Sequence, residues 1–201
     1  PVLRRHGLAS PYVLFVGARP PRKNLGRLTE AFGRVRGDVG GGRLELAIAG
    51  PADAGDEAAR EQARRLGLDG AVRWLGYVRY EELPALYSGA LCLAYPSLAE
   101  GFGLPILEAM ACGTPVLTSA RSAMAEVAGQ AALLVDPEDP AAIADGLRRL
   151  LGDPRLRSDL AACGLARAAG FSWRTAAAAT EAVYREVARQ SRVALSPGPV
   201  A

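Results

Sequence analysis

Residues Ala90–Thr118 read ALCLAYPSLAEGFGLPILEAMACGTPVLT. Ala90–Tyr95 is a continuous apolar run of strand length, and Pro96–Gly103 carries the proline, serine and two glycines that punctuate regular structure. Pro105 then stands where a helix accepts proline at its first position, Gly113 where a helix stops, and Pro115–Thr118 is apolar again. Strand, loop, helix and strand in this order form a βαβ unit, which makes the two strands parallel and lays the helix across one face.

Outward from this unit the alternation continues. Strands are predicted at Tyr12–Gly17, Leu44–Ala49, Ala71–Leu75, Ala90–Tyr95, Pro115–Thr118 and Ala131–Val135. Most are short and continuously apolar, as strands covered on both faces must be. Asn24 is the predicted N-cap of a helix whose Leu25, Leu28, Phe32 and Val35 share a face. Asp56–Leu66 and Glu81–Ser88 supply two further crossovers, and Asp139-Pro140 opens another with Ile143, Leu147, Leu150 and Leu151 buried. Two more helices follow, one after Asp153-Pro154 and one capped by Ser172 that turns Trp173, Tyr184 and Val187 inward. The fold class is α/β, a Rossmann-like doubly wound parallel sheet of about six strands with helices on both faces.

The chain has 201 residues, half of them apolar, enough for one α/β domain with a sizeable core. A formal charge of +3, with basic residues scattered and no interleaved aromatics, argues against nucleic acid. Cys92, Cys112 and Cys163 lack disulfide or zinc spacing and read as small buried hydrophobes, and His6, the only histidine, reads as an exposed linker residue. Neither metal nor cofactor is expected. No apolar run reaches the roughly 18 residues of a spanning helix, and no signal segment opens the chain, so a cytoplasmic domain is expected, with any contact to the inner membrane face made elsewhere. Because the chain opens at Pro1 on a polar stretch ending in Ser10-Pro11, residues 1–11 are expected to be a linker from a missing N-terminal domain. The domain proper is expected over 12–190, followed by a frayed tail over 191–201.

In a sheet of order 3-2-1-4-5-6, strands one and four are neighbours where the winding reverses, and ligands bind at that switch point. The loop Gly17–Asn24 brings Arg19, Arg22 and Lys23, three cations suited to an anion such as a diphosphate. Facing it, Pro96–Gly103 brings Glu100 and two glycines before a helix. Gly101 and Gly103 let backbone approach a ligand, and the amides around Gly103 and Leu104 can donate to phosphate or sugar oxygens. Glu100 and, one turn into the helix, Glu108 are acceptors matched to vicinal hydroxyls. The bland alternative, a capped helix with solvated charges, fits the same residues.

Glu100–Val116, EGFGLPILEAMACGTPV, closely resembles the E-x7-E segment of family-four retaining glycosyltransferases of the GT-B fold. Val16-Gly17 through Lys23-Asn24, Trp74–Val78 with Glu81–Leu83, Glu126–Gly129 and Leu134–Pro137 extend the likeness over roughly residues 12–190. The resemblance implies the donor-binding half of such an enzyme, with the acceptor site on the missing domain and the isolated half inactive. It implies Lys23 at the diphosphate, Glu100 at the donor sugar, Glu108 at the nucleotide ribose, and Gly101, Phe102, Gly103 and Leu104 as backbone contacts. Gly17 and Arg22 line the same loop. In the family an arginine usually follows the first-loop glycine; Ala18 stands there, and Arg19 comes one later as the candidate second phosphate cation. Tyr77 and Val78 match a segment that often lines the nucleobase pocket, although Tyr77 also reads as a core aromatic.

The whole protein is thus expected to transfer a hexose from a nucleoside diphosphate sugar with retention, through an oxocarbenium-like transition state and without metal. The Arg-Lys-Asn loop with Glu-Gly-Phe-Gly-Leu-Pro looks most like mannosyltransferases using GDP-mannose. A sugar-nucleotide epimerase or hydrolase of the same architecture, or a non-catalytic nucleotide-sugar-binding domain, remains open. On this assignment Glu100→Gln is expected to spare nucleoside diphosphate binding and to weaken nucleotide-sugar binding.

Overall fold

Every residue of Tyr12–Val16 (β1), Glu45–Ala49 (β2), Cys92–Tyr95 (β4) and Val116–Ser119 (β5) is buried, as strands between two helical layers must be. Val72–Gly76 (β3) and Leu133–Val135 (β6) are partly exposed because they form the two edges. In the computed structural model the six strands pair in parallel in the order β3-β2-β1-β4-β5-β6, the expected doubly wound sheet. At its centre Val13 lies beside Cys92 and Leu14 beside Leu93. The structure describes residues 1–9, 11–38, 42–52 and 56–194, without the side chains of Asp56 and of 191–194. Ser10 of the expected linker and residues 195–201 of the expected tail lie outside the described residues.

The opening stretch is helical where a linker was expected. Val2–Arg5 (α1) form one turn, Leu3 packs on the core and Leu8 is buried. Glu82 holds this turn, accepting from Arg5 at 2.6 Å and Arg79 at 3.2 Å, with His6 Nε2 at 3.3 Å. His6 is therefore mostly buried against a carboxylate and not an exposed linker residue.

Leu25–Val35 (α2) buries Leu25, Leu28, Phe32 and Val35, the stripe that its period predicts. It packs against Asp56–Arg65 (α3) and Pro140–Gly152 (α7). Leu83–Gly89 (α4), Leu104–Ala111 (α5) and Ser122–Ala128 (α6) pack in series. Asp139 caps α7 as expected, its carboxylate accepting from the Ala141 amide at 2.8 Å. Pro154–Ala169 (α8) lays Leu156 and Leu160 on the core. Of the cysteines, Cys92 is buried and Cys112 half-buried, but Cys163 on α8 is exposed, so only the first behaves as the core residue expected.

Compact units divide the chain at Ala168/Ala169, and the second contains Trp173–Ala194 (α9). Ser172 caps α9, its hydroxyl accepting from the Thr175 amide at 3.0 Å, as expected. The helix runs through residue 194, past the expected start of a frayed tail. Trp173, Tyr184 and Val187 share a face, and all three are exposed where burial was expected. Helical period tells which residues lie together; it does not supply the surface that covers them.

Candidate functional site

Two loops meet through their backbones at the carboxyl ends of β1 and β2. Gly17 leaves β1 with φ +138°, and a Cβ on Gly50, after β2, would lie 2.2 Å from the Gly17 carbonyl oxygen. Only a glycine at 50 permits that approach. Pro21–Lys23 then form a 3-10 turn, and Asn24 enters α2 in the left-handed region at φ 60°. Asn24 holds the N-cap position, but its side chain makes no cap bond to α2, contrary to expectation. Its amide donates instead to the carbonyls of Pro96, at 2.9 Å, and Pro137, at 2.6 Å. Asn24 thereby ties together the loops that follow β1, β4 and β6, and the Leu98 amide adds a 2.7 Å bond to the Arg22 carbonyl.

These ties bring Lys23, Arg22 and Glu100 into one cluster. Lys23 Nζ lies 2.8 Å from Glu100 Oε1, and Arg22 Nη1 lies 3.0 Å from Glu100 Oε2. The side chains of Lys23 and Glu100 are 10% and 9% exposed, against 53% for Arg22, so the lysine pair is the desolvated one. Lys23 also donates to the Tyr95 hydroxyl at the end of β4 and sits over its ring, 4.5 Å from the centroid. Burial pushes the Glu100 carboxyl up, but its contacts with Lys23 and Ser97 and the charges of Lys23 and Arg22 outweigh this. Glu100 is therefore held below the ordinary carboxylate range. Burial, reinforced by the Glu100 charge, raises the Tyr95 phenol, which stays neutral.

The Glu100 backbone is fixed from β5's side. Ser122, a non-glycine residue at φ 59°, accepts from the Glu100 amide at 3.3 Å and donates to the Glu100 carbonyl at 2.9 Å. Gly103, at φ 99° and buried, turns the chain into α5, while Gly101, Phe102 and Leu104 are exposed at the helix entrance. Glu108, half-buried in the second turn of α5, accepts from the Tyr87 hydroxyl of α4 at 2.7 Å. Burial and the Glu108 charge both raise the Tyr87 phenol, so it remains a donor.

Not every predicted residue joins the cluster. Arg19 is buried, donates to the Gly50 carbonyl at 3.2 Å and stacks over Trp74 at 5.8 Å, with Arg60 on the same ring at 4.4 Å. Arg19 thus reaches the ends of β2 and β3. Tyr77 is 74% exposed and so is no core aromatic, while Val78 beside it is buried. Sequence reasoning missed Tyr95, Ser122 and Tyr87, and mistook the work of Asn24. Tyr95 carried a legible signal: it ends a doubly covered strand at the switch point, where a buried phenol must find a partner. Ser122 carried none, since its φ and its reach to residue 100 are tertiary. Among the described residues no group of His, Cys, Asp or Glu is placed to hold a metal ion, and no helix is long and apolar enough to cross a membrane.

Known proteins resemble this chain in sequence and fold. The model of the family described as "Glycosyl transferases group 1" matches residues 4–165. The O-antigen chain mannosyltransferase B of Escherichia coli is 39% identical over 186 residues, covering 92% of this chain and 49% of its own length. A D-inositol 3-phosphate glycosyltransferase of Frankia alni is 41% identical over 199 residues, with 94% and 47% covered. Among solved structures, the sucrose-phosphate synthase of Thermosynechococcus elongatus superposes with a TM-score of 0.81 at 30% identity, covering 94% of this chain and 49% of that one. The chain spans about half the length of the curated relatives it matches. With the family match covering most of the chain, and the Lys23–Glu100 cluster standing at the switch point of a GT-B-type sheet, the chain belongs to the group 1 glycosyl transferases.

Proposed function

We propose that this chain is the donor-binding half of a retaining hexosyltransferase, and that a nucleoside diphosphate sugar lies between Gly17–Asn24 and Glu100–Leu104. The observation that supports this most directly is the convergence of Lys23, Arg22 and Glu100 where β1 and β4 adjoin, in front of the Gly103 turn into α5. Lys23 and Arg22 take the diphosphate, and the amides at the entrance of α5 add donors. Glu100 takes hydroxyls of the transferred sugar and Glu108 those of the ribose. Tyr77, exposed beside the buried Val78, lies against the base. Arg19 acts one step back, as a strut that holds the Gly17 loop to Gly50 and Trp74. Lys23 stabilises the charge that develops on the departing diphosphate, an effect worth on the order of 2.7–4 kcal/mol for one preorganised group.

The mannosyltransferase among the relatives supports mannose as the transferred sugar, and GDP-mannose is proposed as the donor from the Arg-Lys-Asn loop with Glu-Gly-Phe-Gly-Leu-Pro. Transfer itself is proposed for the whole protein, with an acceptor-binding partner domain and no metal or other cofactor; this chain alone gives no sustained turnover. Calorimetric titration with GDP-, UDP- and ADP-sugars tests the donor assignment. GDP-mannose is expected to bind best. In Lys23→Met, affinity for the preferred nucleoside diphosphate should fall by about 10- to 100-fold, as loss of a charge-assisted contact implies. Unchanged affinity in Lys23→Met, or nucleotide bound at the opposite end of the sheet in a co-crystal, would remove the proposal's basis.

A further inference from the structure

The cations assigned to the diphosphate already hold an anion. Glu100 presents one carboxylate oxygen to Lys23 at 2.8 Å and the other to Arg22 at 3.0 Å, so both of its oxygens are engaged by positive charge. A diphosphate on Lys23 and Arg22 would bring its own negative oxygens to the same two groups. It cannot share Lys23 with Glu100 without crowding like charges in a site where both side chains are about nine-tenths buried. Conversely, each Glu100 oxygen keeps a further lone pair, but the two ion pairs fix where the carboxylate points, so it is not free to follow sugar hydroxyls while they last.

We infer that Glu100 is the resident counter-ion of the donor site: it neutralises Lys23 and Arg22 while the site is empty, and an arriving diphosphate takes its place and releases it to the sugar. This rests on the nucleotide-sugar reading above and deepens it by making the two halves of donor recognition one exchange. The backbone of Glu100 need not travel for this, because Ser122 holds its amide and carbonyl. Rotation of the side chain is enough. A desolvated cation that has lost its partner is poorly tolerated, so without the Glu100 charge the empty site is left with excess positive charge, which an incoming diphosphate relieves. Nucleoside diphosphate without a sugar must break the ion pairs and gains no new contact to Glu100. A nucleotide sugar breaks the same pairs and recovers hydroxyl bonds.

The consequence departs from the expectation that Glu100→Gln spares diphosphate binding. With the counter-ion neutralised, affinity for the bare nucleoside diphosphate should rise by about threefold or more, while the advantage of nucleotide sugar over nucleoside diphosphate should shrink or vanish. Calorimetric titration of the folded protein with GDP and GDP-mannose, and with the UDP pair, reads both quantities. Thermal unfolding of each variant run alongside confirms that the protein titrated is folded. Glu100→Asp, which keeps the charge but withdraws it by one methylene, is the second variant and should shift both quantities in the same direction by less. Lys23→Met separates the two levels of the argument. If it leaves nucleoside diphosphate affinity unchanged, the donor-site reading itself is wrong. If it weakens that affinity while Glu100→Gln and Glu100→Asp leave it equal to or weaker than in the unaltered protein, the site is right and the counter-ion exchange is overturned.

Discussion

Lys23 and Arg19 lie in one short loop and carry the same charge, yet the structure sends them to different places. Lys23 turns to Tyr95 and Glu100, Arg19 to Gly50 and Trp74. Residue types and spacing announced a cationic loop at the switch point; they did not tell which cation meets Glu100, because that depends on the 3-10 turn at Pro21–Lys23 and on the neighbouring β2 and β3 loops. Asn24 shows the same limit. Its side chain suits a helix cap, but two buried carbonyls from distant loops claim its amide first. Asn24→Ala removes both bonds and places an alanine at φ 60°, so stability should fall by about 2–4 kcal/mol, measured by urea unfolding. The same variant should weaken nucleoside diphosphate binding, since the Lys23 loop is no longer tied to Pro96. A loss of stability within error of zero would mean that the three loops are held together without it.

Among elements, the strands were the most legible. β1, β2, β4 and β5 are apolar on both faces and bounded by turn residues, and their observed ends fall within two residues of the predicted ones. Helices were legible in extent and less so in environment: α2 buries its predicted stripe, α9 exposes its own, and α1 lies in the stretch read as a linker. What anchors α1 is a single carboxylate with three partners, a tertiary contact that no local pattern encodes. The Arg79 guanidinium, opposed by burial and helped by His6 and Arg5, holds Glu82 below its ordinary value. A carboxyl depressed on folding contributes stability that is present above its unfolded pKa of about 4.3 and is lost as pH falls through the folded value. Amide hydrogen exchange across Val2–Leu8 should therefore be protected at neutral pH and lose protection on acidification. In Glu82→Gln the protection factor, corrected for the intrinsic pH dependence of exchange, should be lower at neutral pH and should not fall further on acidification. Equal protection in both proteins at neutral pH would assign the anchoring to Leu3 and Leu8 instead.

For the molecule as a whole, Pro1–Ala168 is one compact unit that contains the entire sheet and the Lys23–Glu100 cluster, and it is expected to fold without α9. A chain ending at Gly170 should unfold cooperatively, with a thermal midpoint within a few degrees of the full chain and unchanged nucleoside diphosphate affinity. Loss of cooperative unfolding would show that α9 is part of the folding unit. The sheet order also bears on how the molecule is assembled in time. β1 pairs with β2 on one side and with β4 on the other, so each half of the sheet can form from near neighbours in sequence, whereas the seam that joins Val13 to Cys92 must close a long stretch of chain. Closing such a loop costs entropy before any contact repays it, and non-local parallel pairing is correspondingly slow. The proposed donor cleft lies over that seam. Competence to bind a nucleotide would therefore depend on a non-local closure, and in refolding it is expected to appear with the pairing of β1 to β4 rather than with pairing inside either half.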